Sequence, residues 1–111
     1  MATFSPKSIT IVEADPGAAA SFNVTILRHV DGATLATASY PANPSGTTVI
    51  PIGSNGLITS AMANVEIQVE VEEVGATGAL GPATLVYTPD GHNFVLVSEI
   101  PSGNFTLTMQ L

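Results

Sequence analysis

The sequence predicts an all-β fold, an antiparallel β-sandwich of seven or eight strands, immunoglobulin-like or jelly-roll in type. Three observations carry this. From 64 to 72, Val65, Ile67, Val69 and Val71 alternate with Glu66, Gln68, Glu70 and Glu72, the period of a half-buried strand. The C-terminus repeats the pattern with Phe105, Leu107, Met109 and Leu111 interleaved by Thr106, Thr108 and Gln110. Clusters of Pro, Gly, Asp and Asn punctuate the remainder at the short intervals typical of sandwiches and small barrels. Two distant strands, each with one dry face, need a facing sheet. The glutamate-lined strand asks for only one buried face, which favours the sandwich over the barrel.

Ser8 to Glu13, with Ile9, Ile11 and Val12, reads as a first strand closed by Asp15-Pro16-Gly17, where Pro presets one turn dihedral and Gly accepts a positive φ. Ala18 to Ala20 read as loop. Ser21 to Val30 alternates Phe22, Val24 and Ile26 with Asn23 and Thr25, and Asp31-Gly32 signals a hairpin returning through Ala33 to Tyr40. Pro41 to Gly46 holds two prolines and cannot lie inside a sheet. Thr47 to Ile52 resumes an extended run, with Pro51 placing part of it at a sheet edge, and Gly53 to Gly56 is a turn. Leu57 to Ala63 fits either a helical turn or a crossover between sheets. After the 64–72 strand, Gly75 to Pro82 reads as a long glycine-rich loop. The final third reads as a meander: Thr84 to Thr88, a turn at Pro89-Asp90-Gly91, Asn93 to Ile100, a turn at Pro101-Ser102-Gly103, and Asn104 to Leu111.

A chain of 111 residues with 45% apolar side chains forms one domain with one core. Residues 15–111 are assigned to a single sandwich and 1–14 to an N-terminal strand or arm. The absence of cysteine excludes disulfides, thiolate metal sites and thiol catalysis. Two cations against nine carboxylates, a formal charge of −7, argue against nucleic acid, whose binding depends on basic side chains releasing counterions, and against anionic lipid. No apolar run reaches the length of a membrane span. The start shows no signal-peptide pattern, so the expectation is synthesis in a cytoplasm and a final place in a virion or other extracellular assembly.

The stretch Thr88-Pro-Asp-Gly91-His-Asn-Phe94, followed by Ile100-Pro-Ser-Gly103-Asn-Phe105-Thr-Leu107-Thr-Met109, resembles the closing hairpin of prealbumin-like, carboxypeptidase-regulatory-like β-sandwich modules. In those an aspartate-glycine turn, an aromatic strand, a proline-x-glycine turn and a final alternating strand recur. The resemblance covers the last quarter of the chain. It implies an immunoglobulin-like sandwich of the kind used in adhesins, stalks and virion appendages as a non-catalytic building unit.

Residues with chemical potential have plainer readings. Glu66, Glu70, Glu72 and Glu73 offer the oxygens that Ca²⁺ prefers, but residues two apart on a strand stand about 7 Å from each other. Glu66, Glu70 and Glu72 therefore read as an acidic ridge facing solvent or a partner. His29 and His92 lie beside hairpin turns without His-x-His or His-x-x-x-His spacing. No glycine-x-serine-x-glycine elbow accompanies the serines. The glycines at 75, 78 and 81 do not lead from a strand into a helix as a dinucleotide fingerprint does. Asn23-Val-Thr25 and Asn104-Phe-Thr106 match the glycosylation acceptor pattern but lie within predicted strands. No cofactor, metal site or enzymatic activity is expected.

A surface poor in charge and rich in Ser and Thr packs readily against neighbours, because few charges must be desolvated. The expectation is a non-enzymatic structural protein, a homo-oligomer or a partner of other structural subunits. A phage virion component, capsid decoration or tail-associated subunit, is the setting expected. Ile9, Ile11 and Val12 are its candidate assembly contacts, on an arm over 1–14 that would pair with a neighbouring sheet edge and be dispensable for folding. The alternative is an adhesion or carbohydrate-binding module using loops at 41–46, 53–56 and 75–82, with few aromatic rings left over to form a sugar platform.

Overall fold

A computed structural model describes residues 8–53, 57–59, 62, 64–75, 78–90 and 93–110. Eight strands form in chain order: β1 (Ser8–Glu13), β2 (Ala19–Arg28), β3 (Thr34–Pro41), β4 (Thr47–Ile50), β5 (Ile67–Gly75), β6 (Gly78–Asp90), β7 (Asn93–Ile100) and β8 (Phe105–Gln110). They make two antiparallel sheets, β4-β1-β8 and β3-β2-β5-β6-β7. Packed together, the two sheets form the all-β sandwich that the alternation predicted.

Parity determines what is inside. Ile9 and Ile11 on β1, Phe22, Val24 and Ile26 on β2, and Ile67, Val69 and Val71 on β5 have no exposed surface. All lie on the inward phase of their strands. β8 adds Phe105, Leu107 and Met109, and β6 adds Ala83, Leu85 and Tyr87. The Phe22 and Phe105 rings meet across the two sheets.

The chain changes sheet at four connections: β1 to β2, β3 to β4, β4 to β5, and β7 to β8. Ambiguous on sequence, the Leu57 to Ala63 segment belongs to the third of these crossings. Of its described residues, Leu57, Ile58 and Met62 are buried against the core and Thr59 is exposed. Backbone bonds from Ile58 N–H to Ile52 O (3.2 Å) and from Val65 N–H to Met62 O (3.0 Å) hold it in place.

Three expectations are corrected. The strand read over 64–72 runs from Ile67 to Gly75, so Glu73 falls on its inward phase. Gly75 to Pro82 is not a long loop: Gly75 already pairs with Gly78, and β6 continues from there with Pro82 opposite Glu72. Pro82 is tolerated because β7 ends opposite Thr84, leaving this stretch of β6 flanked by β5 alone. A residue without an N–H then costs no ladder bond on the open side. Third, the last three strands are not a meander, because β8 leaves β7 for the other sheet and pairs with β1 from Ser8↔Gln110 to Glu13↔Phe105. Alternation gives a strand its two faces but carries no information about which strand it joins.

Candidate assembly surface

β5 is the middle strand of the large sheet, so its outward residues run down the centre of a broad face. Glu70 and Glu72 lie there, partly exposed, with Glu66 just before the strand begins. Neutral neighbours engage them. Asn23 Nδ2 donates to Glu72 Oε1 at 3.4 Å, and the Thr88 hydroxyl donates to Glu66 Oε2. Glu70 stands opposite Thr25 and Thr84. His29 approaches from the β2–β3 hairpin, with Nδ1 3.2 Å from Gln68 Oε1 and Nε2 3.8 Å from Glu66 Oε1. Arg28 is engaged locally, its Nε 3.0 Å from Asp31 Oδ1. Among the described residues no three His, Cys, Asp or Glu side chains converge in a way that could hold a metal ion. His92 lies outside the described residues.

A shallow depression on this face is lined by Asn23, Thr25, Thr37, Ser39, Glu70 and Glu72. It contains no aromatic ring. Phe22, Tyr87, Phe94 and Phe105 are buried, because their strand positions share the inward phase.

The predicted assembly contacts separate. β1 is the central strand of the small sheet, between β4 and β8, and Ile9 and Ile11 point into this chain's own core with no exposed surface. They are not arm residues available to a neighbour. The physical reason is that β1 already has both edges paired and its apolar row covered. Residues 1–7 of the proposed arm lie outside the described residues. Val12, on the opposite phase, is 46% exposed.

Val12 belongs to an ordered outer face. Register places Thr10 between Val49 and Thr108, and Val12 between Thr47 and Thr106. The result is three strands by two rows of hydroxyls and methyls without a charge. Rows stand about 7 Å apart along the strands and neighbouring strands about 4.8 Å apart.

Sequence reading missed the other apolar surface. β7 is the outer strand of the large sheet, and beyond buried Phe94 it exposes Val95, Leu96, Val97 and Ile100. Its run of apolar residues was the signal, but a continuous apolar strand reads equally well as one buried on both faces. Between β7 and β8 the sandwich is open. A groove of about 460 Å³ runs there, lined by Leu85, Tyr87, Phe94, Leu96, Leu107 and Met109 among others. Burial, then the charge of Glu99, raises the Tyr87 phenol above its ordinary value. Thr106 and Thr108 also line this groove. The hydroxyl-bearing face of the small sheet therefore passes over β8 into the groove, which Glu99 also lines, and reaches β7 at Leu96.

No family model matches the chain, and no curated protein or solved structure does.

Proposed function

We propose that the chain is a non-enzymatic structural subunit that works by packing against copies of itself or other structural subunits. One observation carries the reading. A surface of hydroxyls and apolar groups runs from Thr10, Val12 and Val49 on the small sheet across the β8 groove, where Glu99 is the one carboxylate among the described residues of the lining, to Leu96 on an edge strand that also exposes Val95, Val97 and Ile100. Monomeric proteins seldom leave a long apolar edge strand uncovered, because its free backbone groups and side chains are a template for another strand. Glu99 is the sole carboxylate on this edge strand, so little desolvation opposes contact.

Glu66, Glu70 and Glu72 follow the outer face of the large sheet, where register also places Val95 opposite Thr88 and Ile100 opposite Thr84. The small-sheet rows of Thr10, Val12, Val49, Thr106 and Thr108 carry no charge, whereas the large-sheet face carries the acidic ridge along its central strand, a division that suits a particle component presenting one face outward. A virion position, capsid decoration or tail-associated, is the setting we assign to it on the grounds of size, absence of cysteine and charge-poor surface. A carbohydrate module is supported less well, because one of its three presumed loops, 75–82, is largely strand and the polar face lacks a stacking ring.

Light scattering coupled to size exclusion tests the reading. The chain is expected to run as a concentration-dependent multimer of the 11.3 kDa protomer, and Val97→Lys or Val12→Lys to shift it toward monomer without changing its strand signal in circular dichroism. A monomer at all concentrations, with no partner subunit recovered from its source particle, would overturn it.

A further inference from the structure

Two carboxylates occupy positions that the strand pattern reserves for apolar residues. On β1 the inward row is Ile9, Ile11, Glu13, and on β5 it is Ile67, Val69, Val71, Glu73. Glu13 is 5% exposed and Glu73 1%. β1 belongs to the small sheet and β5 to the large one, so the two side chains enter the same end of the core from opposite layers. Ala19 N–H, at the start of β2, donates to Glu13 Oε1 at 3.1 Å. Gly75 at the end of β5 pairs with that same Ala19. Glu13 Oε2 and Glu73 Oε2 are both buried without a hydrogen-bond partner.

A buried oxygen without a donor carries a desolvation cost, and two carboxylates without a cation carry a far larger one. Cross-strand neighbours of Glu73 are Phe22 on β2 and Gly81 on β6. Opposite Glu13 stands Phe105 on β8, and the β4 side offers the Gly46 carbonyl, which accepts from Glu13 N–H. The remaining charged group acting here is another carboxylate, Asp15 in the β1–β2 connection. Among the described residues, the charged groups acting on Glu73 are thus both acidic.

We propose that Glu73 keeps its proton in the folded state, a latch that holds the two sheets together beside Glu13 at this end of the sandwich and loosens as that proton is lost. Protonation removes the charge that burial penalises and relieves repulsion between like groups at one end of the core. Burial, followed by the charges of Glu13 and Asp15, raises Glu73 above its ordinary value. A metal ion is the weaker counter-charge, since a hard cation needs about six oxygen ligands and no three His, Cys, Asp or Glu groups converge among the described residues.

Infrared difference spectra and thermal melts of the full chain test the latch. At about pH 6, where an ordinary glutamate is ionised, the wild type should show a protonated carboxyl band that Glu73→Gln removes. Its melting midpoint should rise as pH falls from about 8 toward 5, while Glu73→Gln and Glu13→Gln melt with a flatter profile. Absence of the band in the wild type would overturn the proposal even if neither variant folded. Equal pH slopes in wild type and variants would overturn it too. So would a midpoint that rises with calcium and falls with chelator in a Glu73-dependent way, because an ion would then balance the charge.

Discussion

Phe22 and Phe105 touch edge to face across the sandwich, their ring centroids 5.7 Å apart and their planes at 68°. One stands on β2 of the large sheet and the other at the start of β8 in the small sheet, and each is 3% exposed or less. Their separation in sequence is nearly the whole domain, so this contact forms only once the last strand has crossed over. Replacing either ring by alanine should cost about 3–5 kcal/mol. A double-mutant cycle in urea should return a coupling of about 0.5–1.5 kcal/mol.

Adjacent residues on β4 should respond oppositely to the same change. Val49 is 59% exposed and Ile50 1%. Val49→Lys is expected to stay within about 0.5 kcal/mol of the wild type, whereas Ile50→Lys should prevent folding by burying an unpaired ammonium. Urea melts and circular dichroism of the two variants check this directly.

Deleting residues 1–14 should unfold the protein. The deletion removes β1, the strand that carries both β4 and β8, along with fully buried Ile9 and Ile11. The expected readout is loss of the strand signal in circular dichroism rather than a folded monomer.

Gly46 and Gly17 both take positive φ, +90° and +91°, where a side chain costs about 1–2 kcal/mol. They differ in surroundings. A Cβ on Gly17 meets nothing within 4 Å, while one on Gly46 would come within 2.8 Å of Pro16 Cγ. Gly46→Ala should therefore destabilise more than Gly17→Ala in parallel thermal melts, by roughly another 1 kcal/mol if the Pro16 ring must move.

Two carboxyl groups push the pH profile of stability in opposite directions. Glu73 is raised above its ordinary value of 4.5, so the folded state holds its proton more tightly. Its contribution is full below about 4.5 and is lost as pH rises through the folded value. Asp31 is lowered from 3.8, first by the Arg28 hydrogen bond and then by the Ala33 N–H. Its contribution is present above 3.8 and fades as pH falls through the lowered value. Thermal melts across pH should show stability increasing on mild acidification, then declining in stronger acid.

Residues 64–72 show what was legible and what was not. The alternation of Ile67, Val69 and Val71 with Gln68, Glu70 and Glu72 gave the two faces of β5 correctly, because parity is a local property of an extended chain. The same rule applied one step further would have placed Glu73 inside, against its chemistry. Only the course of β5 to Gly75 shows that the strand carries a carboxylate into the core. The apolar run of β7 had the reverse ambiguity: its composition suits a strand covered on both faces, and its edge position leaves Val95, Leu96, Val97 and Ile100 exposed.

Local chemistry in the sequence determined the all-β class, most strand positions, the hairpin at Asp31-Gly32 and the apolar rows that form the core. Tertiary structure decided that β8 joins β1, that β1 is the central strand of its sheet, that Glu13 and Glu73 share one end of the core, and that β7 lies at an edge. Side-chain alternation and turn residues act over a few positions. Strand order depends on contacts such as Phe22 with Phe105, between residues far apart in the chain, which no local pattern encodes.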